Sequence, residues 1–158
     1  MADSLELWID TLADLFAVGD GKTGGLIKSY RLFSLNEFPG AVTSQMVPCA
    51  MSYVTGCRPE YSQGGGVELH WTGQTDFHLT QDVKPANLPY ILPFFGRIIA
   101  AAAANITLSG KVHNFVIADD EQALRLVSFM AGEPPVEDHQ GIVVRWLVKQ
   151  IASGYTVS

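Results

Sequence analysis

Val67-Glu68-Leu69-His70-Trp71-Thr72-Gly73-Gln74-Thr75-Asp76-Phe77-His78-Leu79-Thr80 alternates more regularly than any other stretch of this chain. Val67, Leu69, Trp71, Thr75, Phe77 and Leu79 share one parity, and Glu68, His70, Thr72, Asp76, His78 and Thr80 share the other. A period of two sends successive side chains to opposite faces of a strand. The stretch therefore predicts one long strand, or a pair turning near Gly73, with a dry face and a polar face. A sheet stands at the centre of the fold, and the rest of the chain is read outward from it.

Immediately before it, residues 56–66 (Gly-Cys-Arg-Pro-Glu-Tyr-Ser-Gln-Gly-Gly-Gly) are too rich in glycine to pack well and predict a mobile arm. In residues 43–54, Val47, Cys49, Met51 and Tyr53 alternate with Pro48, Ala50 and Ser52. Pro48 lacks a ladder donor, which places it at the start or edge of a strand. Residues 18–40 carry Gly24-Gly25 and Phe38-Pro39-Gly40 as punctuation and fit either a short strand or an ordered connection. In residues 3–17, Leu5, Trp8, Ile9, Leu12, Leu15 and Phe16 recur at helical spacing, Asp3 and Glu6 have capping-box spacing, and Gly19-Asp20-Gly21 ends the run.

On the C-terminal side, residues 87–105 read as a second helix. Pro89 suits the first turn, Pro93 calls for a bend or a later start, and Ala100 to Ala104 favour helix. Residues 111–118, 123–131 and 141–151 are three strand candidates, separated by Asp119-Asp120-Glu121 and by residues 132–140. Antiparallel hairpins are the economical connections. The expected order is helix, two strands, helix, three strands. That order is an α/β (α+β) fold in which an antiparallel or mixed sheet packs against two main helices, with residues 1–158 as a single domain.

Of the 158 residues, 47 % are apolar and only 16 % charged, against the ~25 % of an average soluble domain. A real core is possible, and the scarcity of charge points to a surface covered by partners. Residues 88–106 form the longest nearly apolar run, but Pro89, Pro93, Arg97 and Asn105 make it a poor membrane span, so a buried helix is expected. The acidic start Met1-Ala2-Asp3-Ser4 is unlike a secretory signal. Cys49 and Cys57 are too few for a disulfide framework and lack zinc-ligand spacing, so a reducing compartment suffices. Ten basic against sixteen acidic residues leave −6, without the basic stripe of a tight nucleic-acid binder.

Few residues suggest chemistry. Gly21-Lys22-Thr23 matches the end of a phosphate-binding loop, but Phe16 occupies the place of its first glycine, and a solvated turn is the simpler reading. Glu68, His70, Asp76 and His78 share one strand parity, and two imidazoles with two carboxylates could bind zinc or act as acid and base. Positions 70 and 78 are nevertheless about 27 Å apart along an extended strand. Glu133, Glu137, Asp138 and His139 fit a solvated loop better than a cation site. Cys49 lies on an apolar parity and reads as core. G-x-S-x-G and H-E-x-x-H are missing from the sequence, and no G-x-G-x-x-G run follows a predicted strand as a dinucleotide fingerprint requires. Catalysis, cofactor and metal are accordingly not expected. The alternative is an intracellular enzyme or small-ligand-binding domain using the Glu68/His70/Asp76/His78 face, and a third reading is a cellular oligomeric scaffold.

The order of elements resembles the tail-terminator proteins of long-tailed bacteriophages. The resemblance is carried by the amphipathic start Leu5 to Phe16, the strand Val47 to Val54, the alternating Val67-Glu68-Leu69-His70-Trp71, the helix at 88–106 and the closing strand Ile142 to Gln150. It implies a small α/β subunit that forms a hexameric ring, caps the finished tail tube, halts its polymerisation and meets the connector of the DNA-filled head. The implied partners are further copies of the chain, the tail tube protein and a head-completion or connector protein. The implied place is the virion neck or tail after synthesis in the host cytoplasm, with no membrane involved.

Ring closure needs two different surfaces on each subunit. Residues 56–66 and 132–141 are the expected contact loops, with Arg58, Glu60, Tyr61, Glu133, Glu137 and His139 as interface residues. Six copies at −6 each carry −36, and an acidic lumen would let DNA slide through without specific binding. Glu68, Asp76 and Asp82 are the expected channel-lining acids.

Overall fold

The alternating Val, Ile and Trp residues at the C-terminal end of the chain build the spine of the sheet, strand β6 (Glu137–Ala152). In this computed structural model, residues 5–32, 46–61, 65–131 and 137–152 are described. The preceding elements are helix α1 (Leu5–Leu15), strands β1 (Lys28–Leu32), β2 (Cys49–Tyr61) and β3 (Val67–Thr80), helices α2 (Leu88–Ile91) and α3 (Pro93–Ala103), and strands β4 (Asn114–Ile117) and β5 (Leu124–Ala131). A short 3₁₀ turn, Pro85–Asn87, leads into α2.

The six strands form one mixed sheet. Parallel β1 pairs with β2, and antiparallel β2, β3 and β6 follow, with Phe77 opposite Ile142 and Trp71 opposite Val148 across the β3–β6 ladder. The mixed sheet on two helical segments is the fold class expected. The long alternating stretch is a single strand without a turn at Gly73. Glycine is required there because a Cβ would collide with the Trp146 ring across the ladder.

Two sequence expectations change, and one reading left open is decided: within residues 18–40, Lys28–Leu32 form the short strand β1 beside β2, one strand more than the expected order counts, and residues 33–40 lie outside the described residues. Residues 56–61 are not a mobile arm: they extend β2 and pair with β3 as far as Tyr61 opposite Val67, past an irregularity between Val54 and Gly56. Cross-strand pairing there overrides the local glycine content. Strands β4 and β5 do not form a hairpin with each other. Both run antiparallel to β6 along the same edge, β4 against residues 146–149 and β5 against residues 137–144. Arg145 is the pivot. Its carbonyl accepts from the Ala118 N–H (2.9 Å) and its N–H donates to the Ala123 carbonyl (2.8 Å), so the edge leaves the ladder and returns on either side of one residue. The β5–β6 connection is the antiparallel hairpin expected, although residues 137–141 belong to strand and not to its loop.

The main core lies on one face of the sheet, and a smaller buried cluster of Cys49 and Met51, packed with Tyr30, Met46, Val47 and Tyr53, lies apart from it. Trp8, Ile9, Leu12 and Phe16 come from the N-terminal helical run, and Ile91, Phe94, Ile98 and Ala102 from α2 and α3. They pack on Phe77, Leu79, Ile142, Val144, Trp146 and Val148. Trp8 meets Trp146 edge to face at 5.9 Å, and Phe16 meets Phe77 at 5.6 Å. Each such buried side chain contributes roughly 1.5–3 kcal/mol of transfer free energy. Pro93 opens α3 and separates it from α2, as its missing N–H requires. Tyr90 fastens the helix to the loop after α1 by donating to Asp20 Oδ1 at 2.6 Å.

Candidate functional site

The opposite face of the sheet carries the polar parity of β3, and neighbouring strands divide its side chains into three clusters. Near the β2–β3 tip, Glu60 and Glu68 are direct cross-strand partners, and His70 Nε2 lies 3.1 Å from one oxygen of each. Lys149 of β6 stands 3.4 Å from the other oxygen of Glu68, and Arg58 lies 3.8 Å from Glu60. The hydrogen bond with His70, helped by Lys149, holds the Glu68 carboxyl below its ordinary value.

At mid-strand, Tyr53 donates to Asp76 Oδ2 (2.9 Å), while the Gln74 amide donates to both Asp76 Oδ1 (2.7 Å) and the Tyr53 hydroxyl (2.7 Å). Burial pushes the Asp76 carboxyl above its usual value despite these donors, and burial beside that carboxylate also raises the Tyr53 phenol.

At the far end, His78 and His139 are buried with their Nδ1 atoms 3.1 Å apart, and His78 stacks on Phe129 at 4.1 Å. Burial, aided by the neighbouring imidazole, lowers His78 to about 4. Cys49, opposite His78, is buried and its thiol is pushed up to about 12, which makes it the core residue expected and a poor nucleophile. Cys57 is exposed.

The four residues suspected of shared chemistry are thus distributed over separate clusters: Glu68 with His70, Asp76 with Tyr53, and His78 with His139. Of the suspected interface residues, Arg58, Glu60 and Tyr61 are exposed on strand β2, with Tyr61 78 % exposed. His139 is fully buried and does not reach the surface of the chain, because its place in β6 turns it toward His78. Glu137 begins β6, and Glu133 lies outside the described residues. Glu68 and Asp76 share the polar face of β3, with Asp76 the more buried of the two, whereas Asp82 lies beyond β3 in the turn before α2. Asn87 and Lys84 bond Asp82 there and keep its carboxyl low. Lys22 is exposed in the Gly21-Lys22-Thr23 turn and sits 4.0 Å from the Tyr90 ring centroid.

The feature not anticipated from sequence is on the other side of the molecule. Pro85–Ala103 is 19 residues long with a mean hydropathy of 1.3, which is long and apolar enough to cross a membrane, yet only 22 % of its most apolar stretch is buried. The expectation of a buried helix holds for one face only. Leu92, Ile99 and, just beyond the helix, Ile106 are each about half exposed, beside exposed Pro93, Gly96, Ala100 and Ala103. Arg97 is the single charged residue of residues 85–106, and it turns inward, donating to the Gly19 carbonyl (3.1 Å) and lying 4.8 Å from the Phe94 ring centroid. The outer helix face is therefore charge-free. The signal for it in the sequence is the missing charge periodicity that an amphipathic surface helix requires.

No protein-family model matches this chain, and no curated protein matches it in sequence.

Proposed function

We propose that this chain is a non-catalytic structural subunit of the neck or tail of a long-tailed bacteriophage. Copies close into a ring, hexameric by the resemblance, that caps the tail tube, ends its polymerisation and joins it to the head connector. The observation that carries the reading is the charge-free outer face of α2 and α3. A single chain leaves Leu92 and Ile99, seven residues apart on one helical stripe, half exposed, with Ile106 half exposed just beyond the helix, and water disfavours such apolar area unless another surface covers it.

Heterologous contacts in a closed ring need a second, different surface. The β2–β3 tip with Arg58 and Tyr61 supplies side-chain types enriched at interfaces, and the exposed pair Val116 and Leu147 on the open sheet face adds apolar area. Glu68 remains the leading candidate to face the passing DNA. Asp76 is a weaker one, since burial pushes its carboxyl toward the neutral form.

Light scattering over a concentration series, with electron microscopy of the same samples, tests the proposal. Rings that appear with rising concentration, or that decorate the ends of added tail tubes, are the expected result. A chain that stays monomeric at every attainable concentration and ignores tube ends would overturn it.

A further inference from the structure

The cluster at Glu60, Glu68 and His70 has a chemistry that stands whether or not the chain forms rings. Glu60 on β2 and Glu68 on β3 stand directly opposite each other in the ladder. Like charges in that arrangement repel, and positive charge placed between them relieves the repulsion. Lys149 meets Glu68 through Oε1, the oxygen that His70 does not reach, whereas Arg58 lies 3.8 Å from Glu60 Oε2, the oxygen that His70 also approaches, at a longer and weaker distance. The group touching both carboxylates is the His70 ring, whose Nε2 is 3.1 Å from Glu60 Oε2 and 3.1 Å from Glu68 Oε2.

One imidazole nitrogen and two carboxylate oxygens, each within 4.8 Å of the others, make a mixed nitrogen–oxygen ligand set. A tetrahedral zinc ion bound at about 2.0–2.2 Å places its donors roughly 3.3 Å apart, close to the 3.1 Å from His70 Nε2 to each carboxylate oxygen. The β2–β3 and β3–β6 ladders fix the three backbones. Lys149 engages the second oxygen of Glu68 and leaves the first for the site, an outer contact of the kind that orients ligating carboxylates.

We propose that Glu60, Glu68 and His70 bind a divalent transition-metal ion of the zinc type, with three protein ligands and the remaining coordination open to water or to a donor from another molecule. The imidazole donor favours zinc, nickel or cobalt over magnesium and calcium, which prefer all-oxygen shells. Lys149 and Arg58 offset the charge of the two carboxylates, so affinity falls below that of a closed structural site.

The test is titration of the chelator-treated full chain with Zn²⁺ by calorimetry, and with Co²⁺ by visible absorption, alongside His70→Ala and Glu68→Gln. The expected result is one ion per chain in the wild type and an affinity at least about tenfold lower in each variant, with thermal unfolding of both little changed. Histidine ring ¹⁵N shifts of the wild-type chain give a readout independent of the variants: Zn²⁺ should move His70 and leave His113 in place. Binding that is equally tight in both variants, or Zn²⁺ shifts confined to other histidines, would overturn the site. So would the absence of binding in the wild type.

Discussion

Thr75 sits on the apolar parity of β3, yet its hydroxyl is the junction of a buried polar chain. It accepts a hydrogen bond from Trp146 Nε1 at 3.0 Å and shares another with Ser52 Oγ at 2.8 Å. Thr75→Val keeps the shape and strands two buried polar atoms, so a loss of about 1–3 kcal/mol is expected in urea unfolding. Thr75→Ser should lose less; equal losses would show that the hydroxyl contributes nothing. His78 gives a second residue-scale expectation. Its folded value, about 4, lies below the ordinary 6.5, so the unfolded chain takes up its proton first as pH falls. Its contribution is complete above pH 6.5 and disappears as pH falls from there through about 4, with an upper limit of about 3 kcal/mol. Denaturant unfolding at pH 7.5 and 4.5 should show a larger acid loss for wild type than for His78→Gln, and parallel losses would refute the assignment. Strand parity alone places Thr75 among core positions. It does not reveal the hydroxyl ladder or the histidine pair, because positions 52, 75 and 146, like 78 and 139, meet only through strand pairing.

Among the elements, those whose pattern repeats over three or more turns or pleats are legible in the sequence: α1, the bent α2–α3 unit, β3 and β6. Elements defined by their neighbours are not. Lys28–Leu32 becomes a strand by lying parallel to β2, and Gly56 to Tyr61 become strand because β3 continues opposite them. Local composition therefore puts Glu60 in a loop and hides its meeting with Glu68 and His70. The β4–β5 edge misleads because Asp119-Asp120-Glu121 resembles a hairpin turn, whereas both sides of that interruption are held by the backbone of Arg145. The closeness of β3 and β6 yields an expectation of its own. A Cβ at Gly141 meets the Phe77 backbone carbonyl, and one at Gly73 meets the Trp146 ring. The Trp146 ring can shift only at the cost of its packing and its bond to Thr75, whereas a ladder carbonyl moves only with the backbone of the strand. Gly141→Ala should therefore cost more than Gly73→Ala, at or above the upper end of the roughly 1–3 kcal/mol typical of overpacking, as compared by urea midpoints. The reverse order would mean that the two strands can separate at Gly141 more easily than the core can repack.

For the whole molecule, the 16 % of charged residues and the uncharged outer helix face are one fact seen at two scales. Arg97 is directed inward to the Gly19 carbonyl, and nothing charged in residues 85–106 remains to keep that side of the chain solvated. If copies of the chain cover it, a charge placed there must act on assembly and not on folding. Ile99 is half exposed, so Ile99→Glu should change unfolding free energy by no more than about 0.5 kcal/mol, as for other surface substitutions. Burying its carboxylate at an apolar contact would cost several kcal/mol per interface unless a partner cation meets it. Sedimentation velocity should then find Ile99→Glu monomeric at concentrations where the wild type forms rings, with the two melting curves nearly superimposed. Val83→Glu, at an exposed apolar residue outside the stripe, should still assemble. Rings formed equally by all three chains would remove the helix face from the contact and leave the β2–β3 tip and the Val116–Leu147 patch to supply both surfaces. A large drop in the stability of Ile99→Glu would mean that the residue supports the fold of the single chain, which its exposure argues against.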